Sequence, residues 1–479
     1  MARSNRRTEG LTGHLVFAIA AAAFGSSFQH GYNTGVVNAP QELVEEFIIK
    51  TYREKYDEDP PITVVTLIFS IMVSVFCLGG MLGALGTAFL AERFGRKGGL
   101  LLNNALVFVA AAMMGFSKMA GSYEMLIVGR FIIGLNSGLN AGLAPMYLTE
   151  ISPVHLRGAV GTIYQLIIAF SILVSQIFGM PQILGTEHGW PILFGLTMVP
   201  SVFMLAALPL CPESPKFILI NKGKDVAAQK ALKWLRGTDE IHYEMDEMRA
   251  EYEQIKLVPK VTLKEMWTND MLRKPLVIAV VVMISQQLSG INAVIFYSTD
   301  IFKNAGLSQQ VAIYATLGMG TINVLMTIVS MVLVEKAGRR TLHLIGLAGM
   351  MVVILILTIC MALTYKAPWL SYISIVCIIG FIIMFASGPG SIPWFLVAEL
   401  FGQGARPIAT SIAVAVNWLA NFIVSLGFLP ITEMIGEYTF LIFAALLAMF
   451  WLFTYNRVPE TKGKTVEEVA AVFRGKSST

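Results

Sequence analysis

This 479-residue sequence has little charge, since Asp, Glu, Lys and Arg make up 14% of it and hydrophobic residues make up 55%. Soluble domains carry about 25% charged residues. A water-soluble globular protein is therefore excluded, and we expect the chain to lie in a lipid bilayer. The formal net charge of +4 is small, and the basic residues cluster in loops and short cassettes. Nucleic acid is a poor candidate partner on this account.

Residues for metal or covalent chemistry are also scarce. The four cysteines have no CxxC spacing and lie in or beside apolar stretches, so we expect small buried side chains rather than disulfides or zinc ligands. The six histidines show no metal-ligand spacing. A GxxxxGK[ST] phosphate loop and a nucleophile with a matching base are not evident. The sequence thus argues against an ATP-driven pump and a membrane enzyme, and it predicts no cofactor and no metal.

Internal repetition is the strongest feature that the sequence does have. AERFGRKGG returns as VEKAGRRTL, EISPVHLRG returns as ELFGQGARP, and PESPK returns as PETKGK. The copies of all three cassettes are separated by nearly the same distance, roughly 245 residues, which indicates a duplicated membrane unit. A transporter is favoured over a channel, because two related halves can rock around a site between them and a channel has no need of paired charged cassettes.

Long apolar stretches set the fold class. A length of about 20 mainly apolar residues per bilayer crossing predicts twelve transmembrane helices, six in each half. We therefore expect an all-α membrane protein with two pseudo-symmetric halves and short cytoplasmic helices. The predicted crossings are ~14–36, ~63–91, ~98–117, ~122–148, ~157–181, ~190–210, ~273–298, ~308–335, ~341–364, ~369–398, ~405–428 and ~436–456.

The distribution of basic residues gives an orientation and a division into regions. Residues 38–62 hold seven acids and three bases, whereas every repeated cassette carries Arg or Lys. Bases beside membrane crossings favour the cytoplasm, so we expect the cassettes, the central loop and both termini there, in a multi-pass plasma-membrane protein. The predicted regions are an N-terminal six-helix half (1–210), cytoplasmic linker helices (211–270), a C-terminal six-helix half (271–457) and a C-terminal cytoplasmic tail (458–479).

The charged residues of the cassettes predict a conformational latch. If they pair across the two halves, they stabilise the outward-open state and must separate when the inside opens. The alternative is ordinary snorkelling of long side chains at the membrane interface, which the regular duplication disfavours. The candidate latch residues are Glu92, Arg93, Arg96, Glu150, Arg157, Glu213, Glu335, Arg339, Arg340, Glu399, Arg406 and Glu460.

Glycine and proline are concentrated in the tenth predicted crossing. Gly388, Pro389, Gly390 and Pro393 should break that helix. Freed carbonyl groups at membrane depth are tolerated only beside a cavity or a bend. We therefore interpret this segment as a moving gate.

Amide side chains recur in four predicted crossings, where they cost free energy unless they have partners. Gln165 and Gln176 fall on nearly the same face of helix 5, whereas Gln287 and Asn292 would lie about 140° apart on an unbroken helix 7. A kink at residues 289–290 is expected to bring that second pair together. Interhelical hydrogen bonding between amides is the alternative explanation, but so many amides favour a cavity for an uncharged polyhydroxyl ligand such as a sugar. The candidate binding residues are Gln165, Gln286, Gln287, Asn292, Asn323, Trp394 and Asn417.

Seven motifs, spread over nearly the whole chain, carry a family resemblance. GYNTGVVNAP, RFGRKGG, PESPK, QQLSGINAVIFYS, GPGSIPWF, AELFGQGARP and VPETKGKT resemble those of the facilitative hexose transporters, the GLUT-type sugar porters of the major facilitator superfamily. The resemblance implies alternating access, with D-glucose held mainly by the second half through Gln286, Gln287, Asn292, Asn323, Trp394 and Asn417, and by Gln165 of the first half. The QLS triplet at residues 287–289 resembles the glucose-preferring members rather than the fructose specialists.

The sequence departs from the family pattern at two places, and the first bears on selectivity. Glucose-type vertebrate relatives have a Phe-Glu pair before the GPG motif, whereas Ala386 follows Phe385 here. We expect Ala386 to loosen that edge of the site and to broaden or weaken hexose selectivity, so that galactose, mannose or fructose are further candidate substrates. The first extracellular loop also lacks the usual N-x-[ST] glycosylation sequon.

Energy coupling follows from one position in helix 1. Proton-coupled sugar porters resemble this chain but have Asp in a GYDTG motif, where this chain has Asn33. An amide carries no proton at physiological pH, so we predict passive uniport. The alternatives are a proton-linked hexose symporter, a uniporter that carries mainly fructose, and a sugar sensor. Sensors resemble transporters with long cytoplasmic tails, and the short tail here disfavours that reading.

Overall fold

The computed structural model describes residues 11–475 except 154, 155, 403, 404, 463 and 465, and it leaves out the side chains of 157–159, 161, 335, 395, 466 and 467. The described residues form helices and contain no β-strand. The helices are α1 (Gly13–Gly35), α2 (Gln41–Tyr56), α3 (Ile62–Gly115), α4 (Tyr123–Ile151), α5 (Arg157–Phe178), α6 (Trp190–Gly195), α7 (Met198–Ala207), α8 (Pro215–Ile220), α9 (Asp225–Arg236), α10 (His242–Leu257), α11 (Leu263–Thr268), α12 (Asp270–Leu288), α13 (Ile291–Asn304), α14 (Gln309–Ala337), α15 (Arg339–Leu363), α16 (Leu370–Ser387), α17 (Ile392–Leu400), α18 (Arg406–Ile435), α19 (Thr439–Arg457) and α20 (Val466–Gly475).

The helices supply the twelve predicted membrane crossings. Eight described stretches are long and apolar enough to span a bilayer, and two of them, of 54 and 52 residues, are each long enough for two crossings. The shorter apolar helix Thr162–Phe178 and the 23-residue α1 complete the set of twelve. In the first long stretch the two crossings meet at Gly95, whose φ of +80° turns the backbone. A glycine adopts this conformation without the steric cost that other residues incur.

The sixth crossing is less regular than the sequence indicates. It consists of α6 and α7 with a non-helical link at residues 196–197, followed by the 3₁₀ turn Leu208–Leu210. Pro200 has no N–H to donate to the carbonyl of Leu196, and the amide of Val199 bonds that carbonyl instead, at 3.1 Å. The backbone therefore tightens at this point.

Helix α2 lies in a segment that the sequence analysis assigned to a loop. Val44, Phe47, Ile48 and Thr51 of α2 are buried, and their spacing is that of one helix face. The ring of Phe47 packs against Trp190 with centroids 5.3 Å apart. The apolar face of α2 thus covers the adjacent crossings.

The central linker forms the expected short helices, α8 to α11. Ala228 and Leu232 of α9 share a buried cluster with Met245 of α10. Arg236 at the end of α9 donates to Glu244 at 2.9 Å and to the carbonyl of Ile151 at 2.8 Å. The linker is therefore fastened to the end of α4 that carries the first copy of the repeated cassettes. We call this end of the molecule the cassette end, and the other end the opposite end.

Candidate functional site

A break in the seventh crossing creates the centre of the candidate site. Helix α12 ends at Leu288 and α13 begins at Ile291, with a φ of +94° at Gly290. A Cβ at this position would lie 3.0 Å from the Phe443 ring, so both conformation and space favour glycine. The break lets the Asn292 amide donate to the side-chain oxygen of Gln287. The kink predicted at residues 289–290 is thus present, and it joins the two amides as expected.

Four amides form a connected set, which we call the amide cluster: Gln286, Gln287, Asn292 and Asn417. Asn417 Nδ2 donates to Gln286 Oε1 at 2.8 Å, and Gln287 Nε2 donates to Asn417 Oδ1 at 3.1 Å. Gln286, Gln287 and Asn417 are almost fully buried. Each amide offers both donors and acceptors, so the cluster is a buried, uncharged surface that can exchange its internal hydrogen bonds for those of a ligand.

The tenth crossing breaks where the sequence predicts it. Helix α16 ends at Ser387 and α17 begins at Ile392, and Gly388 between them has φ −148° and ψ −74°. The freed carbonyls of Pro389 and Gly390 accept hydrogen bonds from Gln286 Nε2 at 3.0 and 2.9 Å. The break is thus directly connected to the amide cluster, although its role as a gate stays a prediction.

Three predicted binding residues lie outside this hydrogen-bonded cluster. Trp394 beside the α16–α17 break is 42% exposed, Gln165 is exposed and Asn323 is half-buried. Gln176, expected on the same wall as Gln165, is buried against α14, where a Cβ at Gly320 would lie 2.4 Å from its Oε1. Of the seven predicted residues, the structure joins four by side-chain hydrogen bonds among the described residues.

Aromatic side chains beside the amide cluster were not among the predicted binding residues. Trp418 follows Asn417 and packs on Gly80 of α3, where a Cβ would lie 2.6 Å from the indole. The rings of His30 and Phe76, from the first half, lie 5.6 and 6.1 Å from Trp418. The sequence feature that could have indicated this group is His30, a histidine in the middle of a membrane crossing. The aromatic group joins the first half to α18 at the residue that follows Asn417 of the amide cluster.

Asn33 is surrounded by neutral groups and one buried arginine. Its Nδ2 donates to the backbone carbonyl of Gln29 at 2.9 Å and to Thr197 Oγ1 at 2.8 Å. The backbone carbonyl of Asn33 accepts from Arg130 Nη1 at 2.7 Å. The Arg130 guanidinium lies 4.6 Å from the centre of the Phe76 ring. Among the described side chains no carboxylate forms an ion pair with Arg130.

The cassette end contains the same arrangement twice. Arg96 pairs with Glu150 at 3.0 Å in the first half, and Arg339 pairs with Glu399 at 2.9 Å in the second. Ser214 donates to Glu150, and Thr461 donates to Glu399. The sequence repeat is therefore a structural repeat of ion pairs, each contained within its own half.

Two further glutamates cap helix restarts at this end. Glu213 accepts from the backbone N–H of Lys97 at 2.9 Å, just after Gly95. Glu460 accepts from the backbone N–H of Arg339 at 2.9 Å, just after Gly338, whose φ is +86°. A carboxylate at a helix N-terminus stabilises the helix by satisfying free amides and by its charge.

The remaining latch candidates do not pair across the halves in this structure. Arg406 donates to the carbonyls of Ala398 and Phe401, and Arg340 donates to that of Tyr455. Glu92 and Arg93 are exposed. The side chains of Arg157 and Glu335 lie outside the described residues. Within the described part of the cassette end no ion pair joins the halves, and latch pairing in another conformation stays a prediction.

At the opposite end, by contrast, side chains bridge the halves. Asn38 donates to Ser298 Oγ and accepts from the Thr299 N–H at 3.1 Å. Lys303 pairs with Glu42, and Thr66 donates to Glu433. We call this set of contacts the seam; its residues are Asn38, Glu42, Thr66, Ser298, Thr299, Lys303 and Glu433. The halves are thus fastened to each other at the opposite end.

Comparison with known proteins places these features in a wider context. The family model described as "Sugar (and other) transporter" matches residues 18–473. The chain is 49% identical to facilitated glucose transporter member 1 of solute carrier family 2 from Gallus gallus, over 97% of this chain and 94% of that protein. It is 47% identical to member 3 from Ovis aries, over 98% and 95%.

Solved structures resemble the chain along almost its full length. A partially occluded inward-open structure of the xylose transporter XylE from E. coli has a TM-score of 0.78 at 25% identity, covering 95% of this chain and all of that one (100%). A second XylE structure, of the proton:xylose symporter bound to 6-bromo-6-deoxy-D-glucose, has a TM-score of 0.75 at 25% identity, covering 96% and 99%.

Proposed function

Because this chain belongs to the sugar transporter family and has its twelve-helix major facilitator fold, we propose that it is a passive uniporter of D-glucose. It is a transporter rather than an enzyme. The observation that carries the proposal is the amide cluster, a buried and uncharged set of donors and acceptors between two helix breaks. Galactose, mannose and fructose are the further hexoses to be compared.

The chemistry of the amide cluster suits a sugar. Hexoses carry several hydroxyl groups and no charge, and each hydroxyl both donates and accepts. In the structure the amides satisfy one another, so they lose little when a hydroxyl replaces an amide partner, because the net value of one neutral hydrogen bond is only about 0.5–1.5 kcal/mol. Binding of this kind is weak enough to allow release, as a transporter requires.

Passive transport is supported by the surroundings of Asn33. Proton coupling needs a side chain that takes up and releases a proton within the membrane. The side chains of Asn33, Gln29 and Thr197 are neutral groups without such a proton, and an arginine guanidinium does not release its proton in proteins. None of the groups that contact Asn33 therefore takes up and releases a proton, which favours uniport.

Orientation and the division into halves are part of the same proposal. The bases of the cassettes favour a cytoplasmic cassette end and cytoplasmic termini in the plasma membrane. The opposite end, with the seam, then faces outward. Alternating access would open the seam and bring the two copies of the cassettes together, at which point the latch residues pair across the halves.

Transport in liposomes tests the proposal. Purified protein is reconstituted with unlabelled glucose inside, and counterflow of labelled glucose and labelled fructose is measured with and without a pH gradient. We expect glucose exchange that exceeds fructose exchange, with no accumulation driven by the gradient. Accumulation driven by the pH gradient would show that the protein is a proton symporter rather than a uniporter. Faster exchange of fructose than of glucose would show that fructose is the main substrate. The absence of any hexose exchange would overturn the proposed function.

A further inference from the structure

His30 is a polar residue of the first half that makes no hydrogen bond to the amide cluster. It lies within α1, and its ring stacks on Trp418 of α18 with centroids 5.6 Å apart and an interplanar angle of 29°. The Phe76 ring approaches it edge-on at 6.5 Å. His30 thus contacts, from the other half of the molecule, the residue that directly follows Asn417 of the amide cluster.

One buried ring nitrogen of His30 has no hydrogen-bond partner among the described residues. Nδ1 is buried and makes no hydrogen bond to any described residue, while the ring as a whole keeps part of its surface accessible. A buried polar atom without a partner is unfavourable, and a purely apolar aromatic ring would stack on Trp418 without that cost. Packing alone therefore does not account for a histidine here.

We propose that His30 is a specificity-determining residue that contacts the sugar directly, a claim that rests on the proposed hexose transport. A neutral imidazole has one donor and one acceptor, and either can meet a hydroxyl of a sugar held by the amide cluster. The second half then holds the sugar through amides, and the first half adds a ring nitrogen beside an aromatic face. His30 would thus recognise one hydroxyl when the halves close on the substrate.

The test uses His30→Phe, which keeps an aromatic ring on Trp418 but removes both nitrogens. His14→Phe is a matched control, because His14 stacks on Trp234 with centroids 4.3 Å apart at the cassette end, away from the amide cluster. KM and maximal rate of exchange are measured in liposomes for D-glucose and for each monodeoxyglucose. His30→Gln, which keeps a donor and an acceptor, is measured in the same way, and His30→Ala replaces the Phe variant if that variant does not fold.

For His30→Phe we expect the KM for glucose to rise about three- to tenfold with the maximal rate within about twofold. At least one monodeoxyglucose should have the same KM in wild type and variant, because it lacks the hydroxyl that His30 contacts. His30→Gln should retain most of the affinity for glucose, and His14→Phe should match wild type.

Two results would overturn the assignment. One is an unchanged KM for glucose in His30→Phe, or in His30→Ala if the Phe variant does not fold. The other is a rise in KM that is equal for glucose and every monodeoxyglucose, which indicates general packing. Failure of the wild-type protein to exchange any hexose would instead refute the proposed function itself, so the two failures are distinguishable.

Discussion

The two ends of the molecule are held together in different ways. At the cassette end, ion pairs such as Arg96 with Glu150 and Arg339 with Glu399 lie within one half and occur twice. At the seam, contacts such as Lys303 with Glu42 join the two halves, and among the described residues they have no repeated counterpart. Duplicated contacts within a half make each half rigid, whereas single contacts between halves can be broken to open one side. The contacts at the cassette end therefore stay formed within each half, whereas the contacts of the seam form and break as the protein changes conformation.

The largest effect is expected from disturbing the cassette end. Gly338→Ala forces a side chain into a φ of +86° and places a Cβ 2.8 Å from Glu460 Oε2. Strain at such a position costs about 1–3 kcal/mol, and displacing the charged cap adds to it. We expect a clear fall in the unfolding temperature in detergent, followed by tryptophan fluorescence. Gly318→Ala, where nothing lies within 4 Å of the new Cβ, is the control and should not lower it.

A smaller loss of stability should follow from Glu399→Gln. The change removes the charge that pairs with Arg339 but keeps a hydrogen-bond acceptor, so only part of the about 1.5–3 kcal/mol of a hydrogen bond to a charged group is lost. Glu150→Gln makes the same change in the first half and should lower the unfolding temperature by a similar amount, because the arrangement is repeated. Glu433→Gln at the seam should leave that temperature nearly unchanged and alter the rate of exchange instead. Equal losses of stability in all three variants would remove the distinction between the two ends.

External pH should act on the seam through Glu45 of α2. Burial, together with the nearby carboxylates of Asp300 and Glu433, raises the pKa of Glu45 from 4.5 to about 7. The closed seam therefore binds the proton of Glu45 more tightly than the open seam does. Protonation of Glu45 stabilises the closed seam fully below about pH 4.5, and this stabilisation is lost as the pH rises through about 7. Acidifying the seam side from about pH 7.5 to about pH 6 should slow glucose uptake from that side several-fold.

The control for the pH effect is Glu45→Gln, which cannot titrate. Uptake by this variant should depend much less on the pH of the seam side than uptake by wild type. If wild type and variant respond equally to pH, the seam is not controlled by Glu45.

The smallest effect concerns the site between the two ends. Ala386 is buried in the last turn of α16, just before the break that contacts Gln286. Ala386→Glu places a hydrogen-bonding carboxylate there and should raise the preference for glucose over fructose about threefold, the value of one added hydrogen bond. Competition between the labelled hexoses measures it, with Ala386→Gln as the uncharged match. Unchanged affinities for glucose, galactose and fructose would refute a role of this position in selectivity.

The sequence predicted the helices and their breaks better than it predicted which side chains contact each other. The length of apolar stretches located the twelve crossings, and Gly290 and Gly388 located both helix breaks, because these signals are local. It did not predict helix α2, whose buried face is only five residues, nor the pairing of Arg96 with Glu150 in its own half. A basic side chain can meet either of two equivalent carboxylates, and the conformation decides which. The position of His30 on Trp418 likewise depends on how two distant helices meet.

The most direct test of the central claim is to lock the seam. Asn38 and Ser298 are replaced by cysteines and joined by a short bifunctional thiol reagent that reduction releases, with each single-cysteine variant as control. We predict that the joined protein in liposomes loses glucose exchange, that reduction restores it, and that the single variants are unaffected by the reagent. Full exchange by the joined protein would contradict transport through alternate opening of the two ends.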